Sequence, residues 1–285
     1  MKKLILTIIT LFINHYVQAQ ENPDEIISDD TEEHIIAQYD VEPTYLKDLS
    51  IKQDYEKAKS LYQKAAEKNQ KFVKSKLGYI YSQKQDYSKA KFWIKIAAEK
   101  GDREAQNNLA SLFEYGLGVK QNYNKAIKWY RESAEKKYDL ALNNLAILYA
   151  KMGDYSSARF WSEKAAEQGN ATSQGILGAL YEEGFEVEQS DELSFLWYKK
   201  AAENGNETAQ NNLGRMYFNQ QEYNKALYWF QQSADKGNID ALYNLYIIYA
   251  KGLGTSRDFE KAEEFLIKAA AKGQPQALEV QRIRD

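Results

Sequence analysis

Few side chains in this sequence are equipped for covalent or metal chemistry. There is no cysteine, and the two histidines are His15, in the apolar N-terminal stretch, and His34, in an acidic one. Without a thiol, or a histidine placed near a hydroxyl, the usual nucleophile–base pairs cannot be built. Two S-x-x-K matches occur, Ser133-Ala-Glu-Lys136 and Ser233-Ala-Asp-Lys236, the arrangement that carries the nucleophile in penicillin-binding enzymes. Both fall at one place in a repeat, and other copies of that place read Ala97-Ala-Glu-Lys100 and Ala65-Ala-Glu-Lys68. Alanine in the serine position points to packing, with a lysine set near a helix C-terminus where the dipole favours it. The acids Asp29, Asp30, Glu32 and Glu33 beside His34 lack the spacing of a calcium loop. The G-x-G at Gly116–Gly118 and at Gly252–Gly254 lies between helical patterns and not after a strand, which removes the dinucleotide-binding reading. The residues therefore predict no catalytic group, no cofactor and no metal site.

What does dominate the sequence is a repeat. Units open at Asp54, Asp86, Asn122, Asp154, Ser190, Glu222 and Asp258, with spacings that alternate between 32 and 36 residues. A fixed period in this range is the mark of a solenoid. Seven residues into the units stand Trp93, Trp129, Trp161, Trp197 and Trp229, with Leu61 and Phe265 in the end units. Small residues recur at the fourth place (Ala90, Ala126, Ala158, Ser194, Ala226, Ala262) and again as pairs such as Ala97-Ala98 and Ser133-Ala134. Recurrence three and four apart is helical. Asp and Asn at the openings suit N-caps, and Gly101, Gly169, Gly205, Gly237 and Gly273 suit helix ends. A second helix in each pair is marked by Leu77, Leu109, Leu145, Leu177, Leu213 and Leu245, often beside a small residue such as Gly78, Ala110 or Gly178. The longer units carry an added loop (114–122, 181–190 and 250–258), and the shorter ones turn at once.

These residues carry a family resemblance. The pattern A-x-x-N-L-G-x-M-Y, then G-x-G-V, then K-A-x-x-W-Y-x-x-A-A-E-x-G resembles the Sel1-like branch of the tetratricopeptide superfamily, most closely at 105–136, AQNNLASLFEYGLGVKQNYNKAIKWYRESAEK. The short units resemble ordinary tetratricopeptide repeats. The unit opening at Ser190 departs, with Phe185 read in place of the usual small loop residue and Ser194 in place of Ala. The resemblance covers roughly 54–285 and implies an all-α, right-handed helical-repeat solenoid of about seven helix pairs.

The two ends differ from the solenoid. Residues 1–19 read as a signal peptide: Lys2 and Lys3, an apolar run from Leu4 to Ile13, and Val17-x-Ala19 before a cleavage site. A run of that length is too short to span a bilayer. Residues 20–48 hold ten acids against one base, Lys47, a composition that favours disorder. Residues 49–285 form the solenoid, with 275–285 as a capping helix whose polar end faces water. The formal net charge of −3 argues against a nucleic-acid partner, and cleavage of the leader leaves no stable membrane insertion. The expectation is a periplasmic or secreted protein.

What remains is a surface. The resemblance implies that the Leu helices line a concave face. The residues that would project from it are Ser75, Tyr79, Asn107, Ser111, Asn143, Ile147, Asn211, Arg215, Tyr243 and Ile247, with Asn108, Asn144, Asn212 and Asn244 as a second row. Asparagine both donates and accepts, so such rows suit a peptide backbone, or else bond one helix to the next. The expected function is a non-enzymatic scaffold that binds another protein or peptide. The alternatives are an immunity protein that neutralises an exported toxin and a cell-wall enzyme or β-lactam binder.

Overall fold

The computed structural model describes residues 85–284, with Lys74, Gly78, Tyr79, Tyr81 and Ser82 ahead of them. The signal peptide, the acidic segment, the first repeat opening at Asp54, and Ser75 lie outside the described residues.

Twelve helices and no strand occupy the described residues. The Trp helices are α1 (Tyr87–Glu99), α3 (Tyr123–Glu135), α5 (Tyr155–Ala166), α7 (Asp191–Glu203), α9 (Tyr223–Asp235) and α11 (Phe259–Ala271). They alternate with the Leu helices α2 (Arg103–Tyr115), α4 (Asp139–Met152), α6 (Ala171–Glu183), α8 (Glu207–Asn219), α10 (Ile239–Lys251) and the terminal α12 (Pro275–Arg284). The chain divides between Leu148 and Tyr149, inside α4, into two compact units.

The sequence sets the ends of these helices locally. Asp86, Asn122, Asp154, Ser190 and Asp258 each accept from the backbone N–H three residues on, as do Asp102, Asn170, Asn206 and Asn238 on the Leu helices. Each such cap contributes about 1 kcal/mol. Glu222 is the one unit-opening residue among those described that makes no side-chain cap.

Inside each unit the Leu helices supply the core. Leu109 and Leu145 in the first unit, and Leu177, Leu213 and Leu245 in the second, are buried. The small residue after the Leu lets a Trp helix approach. A Cβ on Gly178 would stand 2.6 Å from the Tyr198 ring, and one on Gly214 would stand 2.6 Å from Phe230. Closer contact than van der Waals distance forces side chains off their rotamers, so glycine there is set by the ring opposite.

The long loops correct one reading of the sequence. Phe185 does not replace a small loop residue. Its N–H bonds to Leu180 O, as Leu117 N–H bonds to Leu112 O and Leu253 N–H to Ile248 O, so the three share one place. The residue that departs is Glu186, at φ +51° where Gly118 and Gly254 sit at +62° and +67°. A Cβ on Gly118 would come within 2.9 Å of the Tyr87 backbone, and one on Gly254 within 2.7 Å of Tyr223. With Glu186 the loop instead stacks Phe185 on Tyr155, rings 4.5 Å apart and 20° from parallel.

Candidate protein-binding face

The S-x-x-K pairs are structural straps. The Ser133 hydroxyl is buried and donates to Arg103 O at 2.6 Å, and that of Ser233 donates to Glu207 O at 2.7 Å. Lys136 Nζ donates to Gly101 O at 2.8 Å and to Gln106 Oε1 at 3.0 Å, and Lys236 Nζ to Gly205 O at 2.6 Å. Gln106 in turn donates to Ala98 O at 3.2 Å. Each pair thus satisfies a carbonyl left open past the end of the preceding Trp helix and adds a second bond to a carbonyl in the first turn of the Leu helix. Asn204 takes the lysine place in α7 and reaches Gln174 Oε1 at 2.9 Å. Serines occupied this way are tied to the backbone of the previous repeat.

The face carried by the Leu helices divides into a buried layer and an open one. In the first unit Asn107, Asn143, Asn144 and Ile147 are buried, whereas Asn108 and Ser111 are half-buried and Tyr79 is exposed. Asn144 Nδ2 donates to Asn107 Oδ1 at 2.8 Å, and Ser111 Oγ donates to Asn107 O at 3.3 Å. In the second unit Asn211 and Asn212 are buried, and Arg215, Tyr243, Asn244 and Ile247 are half-buried. Asn244 Nδ2 donates to Asn211 Oδ1 at 2.9 Å, and the Tyr243 and Tyr246 rings lie 5.6 Å apart. Burial first, and Tyr246 beside it, push the Tyr243 hydroxyl above its usual range. Asn107 and Asn211 therefore accept from second-row asparagines one Leu helix on, as buried polar groups must. In α6 the corresponding residues are Gly175 and Ile176, which have no amide to offer. The open layer is what a partner can touch.

Two acid–phenol pairs underlie this face, the first buried and the second part-buried. Tyr130 donates to Glu114 Oε2 at 2.9 Å, with Ser111 Oγ 2.9 Å from the same phenol oxygen. Tyr198 donates to Glu182 Oε2 at 2.8 Å, and Arg215 donates to the other carboxylate oxygen at 2.7 Å. Burial, then the Glu114 charge, holds the Tyr130 hydroxyl well above its ordinary range. Tyr198 is raised in the same way by burial and Glu182, with Arg215 opposing. The sequence reading missed these pairs. The signal was there: Glu five residues after the Leu and Tyr eight after the unit opening occur together twice, and both are gone in the third long unit, where Ala250 and Leu266 stand. Among the described residues no helix is long and apolar enough to cross a membrane, and no cluster of three metal-ligating side chains occurs.

The Sel1 repeat family matches the chain over residues 44–70, 75–102, 103–138, 171–206, 208–238 and 239–274. A tetratricopeptide repeat matches 140–167. A search of curated protein sequences finds no match. Among solved structures, a protective antigen of uropathogenic Escherichia coli with an SLR fold is 34% identical at a TM-score of 0.72, over 79% of this chain. This chain spans 51% of that antigen's length. A Sel1 repeat protein from Oxalobacter formigenes is 28% identical at a TM-score of 0.70, over 85% of this chain and 98% of its own. An immunity protein from Pseudomonas aeruginosa is 23% identical at a TM-score of 0.47, over 66% of this chain and 75% of its own.

Proposed function

The chain belongs to the Sel1 repeat family, and from that premise we propose that it is an exported scaffold that binds another polypeptide on its Leu-helix face. One observation carries the reading. The half-buried residues Asn108 and Ser111 in the first unit, and Arg215, Tyr243 and Asn244 in the second, stand on a layer in which Asn144 bonds to Asn107 and Asn244 to Asn211, from helix to helix. Such a layer holds its shape before a partner arrives, which lowers the ordering cost of association. Arg and Tyr are also the residue types that anchor interfaces. Export rests on the leader at 1–19 with its small residues at Val17 and Ala19.

The test is a pull-down from envelope extract with the full chain as bait, beside an Asn108→Ala, Ser111→Ala, Arg215→Ala, Tyr243→Ala variant of equal helicity. The expected result is one protein retained by the first and lost by the second. A protein retained equally by both overturns the assignment of this face. A retained toxic effector makes the scaffold a neutraliser. N-terminal sequencing of the exported protein should begin at Gln20, and an intact leader overturns cleavage.

A further inference from the structure

The Trp helices carry a second candidate site, on residues that no part of the reading above uses. A cavity of about 550 Å³ opens between α9, α10 and α11. Its apolar lining is Ala234, Leu242, Phe265 and Ala271, and its charged lining is Asp235, Glu264, Lys268 and Lys272. That volume lies within the range of ligand and side-chain pockets.

The sequence explains why the cavity opens here. In α1, α3, α5, α7 and α9 the seventh place is Trp and the thirteenth is an acid: Trp93 with Glu99, Trp129 with Glu135, Trp161 with Glu167, Trp197 with Glu203, and Trp229 with Asp235. In α11 both places shrink together, to Phe265 and Ala271. Both face the cavity. The lining of this cavity thus holds a phenyl ring and a methyl where the earlier Trp helices carry an indole and an acid.

The charges at the edge differ from the repeat in a matching way. Lys268 is paired with Glu264. Gln231 donates to Asp235 Oδ1 at 2.7 Å. Lys272 holds the place of Lys136 and Lys236, which donate to the carbonyls of Gly101 and Gly205. At those two glycines a Cβ would meet the ammonium at 3.0 Å, but at Gly237 the distance to Lys272 Nζ is 3.7 Å. Lys272 lines the cavity, and its ammonium can receive a carboxylate there.

We infer that this cavity is a docking pocket for a partner polypeptide that inserts an aromatic side chain with a carboxylate beside it. The aromatic ring packs on Phe265 and Ala271, at the places where earlier Trp helices carry an indole and an acid, and Lys272 pairs with the carboxylate. The inference extends the scaffold reading to the Trp-helix face, and its test uses none of the Leu-helix residues, so either can fail alone.

The experiment is an NMR titration of the labelled full chain with N-acetyl-Trp-Glu-amide and with its neutral twin N-acetyl-Trp-Gln-amide. The expected result is saturable movement of the Ala234, Leu242 and Ala271 amides by both. The acid should bind about threefold more tightly, the size of a partly exposed ion pair, and Lys272→Ala should erase that difference. Phe265→Trp with Ala271→Glu, which restores the repeat's own pair, should keep the melting temperature and abolish binding. Movement that survives this filled variant, or none at millimolar peptide, overturns the pocket. Equal binding of the two peptides overturns the carboxylate. Self-association of the unmodified chain that the filled variant ends would make the occupant a second copy and overturn the partner.

Discussion

The first two long units place the same two residues in the same places and use them differently. Glu114 is 2% exposed and is held by Tyr130, with Ser111 closing the phenol's other side. The Glu182 side chain is 22% exposed and has a second partner in Arg215. Ala179 replaces Ser111, and the third long unit discards the pair for Ala250 and Leu266. One acid is sealed into the wall, one is half-open and shared with the binding face, and one is absent. The difference separates two roles that a repeat alignment merges. A carboxylate cut off from water depends more on its phenol to offset desolvation, whereas one beside Arg215 can lose the phenol and remain paired.

The largest expected effect tests that difference. Tyr130→Phe should cost about 2–3 kcal/mol, since it takes a hydrogen-bond donor from a buried carboxylate. Tyr198→Phe should cost about 1 kcal/mol, because Arg215 and water still serve Glu182. Urea unfolding of both variants decides it, and equal losses would break the comparison. Replacing the whole first pair, Glu114→Ala with Tyr130→Leu, should be nearly neutral, because that is the third unit's own solution. The phenols also set an alkaline limit. Both hydroxyls are raised above their ordinary value of 10.0, so the folded state holds protons that the unfolded chain gives up first. Their contribution is fully present below pH 10 and is lost as pH rises through the folded values. The stability curve should therefore fall above about pH 10 at up to 1.4 kcal/mol per pH unit for each phenol. Tyr130→Phe with Tyr198→Phe should flatten that fall.

The loops of the same two units give a smaller contrast. At equivalent places Gly118 has φ +62° and Glu186 has φ +51°. The left-handed conformation costs a residue with a Cβ about 1 kcal/mol or more. Glu186→Gly should therefore raise stability by about 1 kcal/mol if the Phe185–Tyr155 stack holds the loop in place. The reverse change, Gly118→Glu, should cost more than that, because its Cβ would also meet the Tyr87 backbone at 2.9 Å. Thermal melts of the two variants should move in opposite directions, and a shift of the same sign in both would show that the loops are not equivalent.

Much of this was legible in the sequence, for a physical reason. Helix ends, the Trp and Leu registers and the long–short alternation are local properties, written in Asp86, Asn122, Gly101 and their copies within a few residues of where they act. What the sequence hid depends on distance across repeats. Asn107 and Asn211 read as open hydrogen-bonding groups because nothing nearby marks Asn144 and Asn244 as their donors, 37 and 33 residues away. The straps behind the S-x-x-K motifs are hidden for the same reason, since Lys136 acts on Gly101, 35 residues back. Phe185 was misplaced by one position because a glycine was expected where Glu186 sits. The open layer at Arg215 and Tyr243 came from register alone, and register fixes which side chains share a face without fixing how deeply each is buried.

The smallest expected effect lies between α3 and α7. Ala126 and Ser194 hold the same fully buried place, yet the Ser194 hydroxyl has no hydrogen-bond partner. A buried hydroxyl without a partner is a cost that the methyl of Ala126 does not carry. Ser194→Ala should therefore stabilise the second unit by about 1 kcal/mol, as a small rise in the urea midpoint at unchanged slope. A loss instead would mean that the serine bonds something when the protein is at work. The departure at 194 would then belong with Arg215 among the features that set the repeat opening at Ser190 apart from the one opening at Asn122.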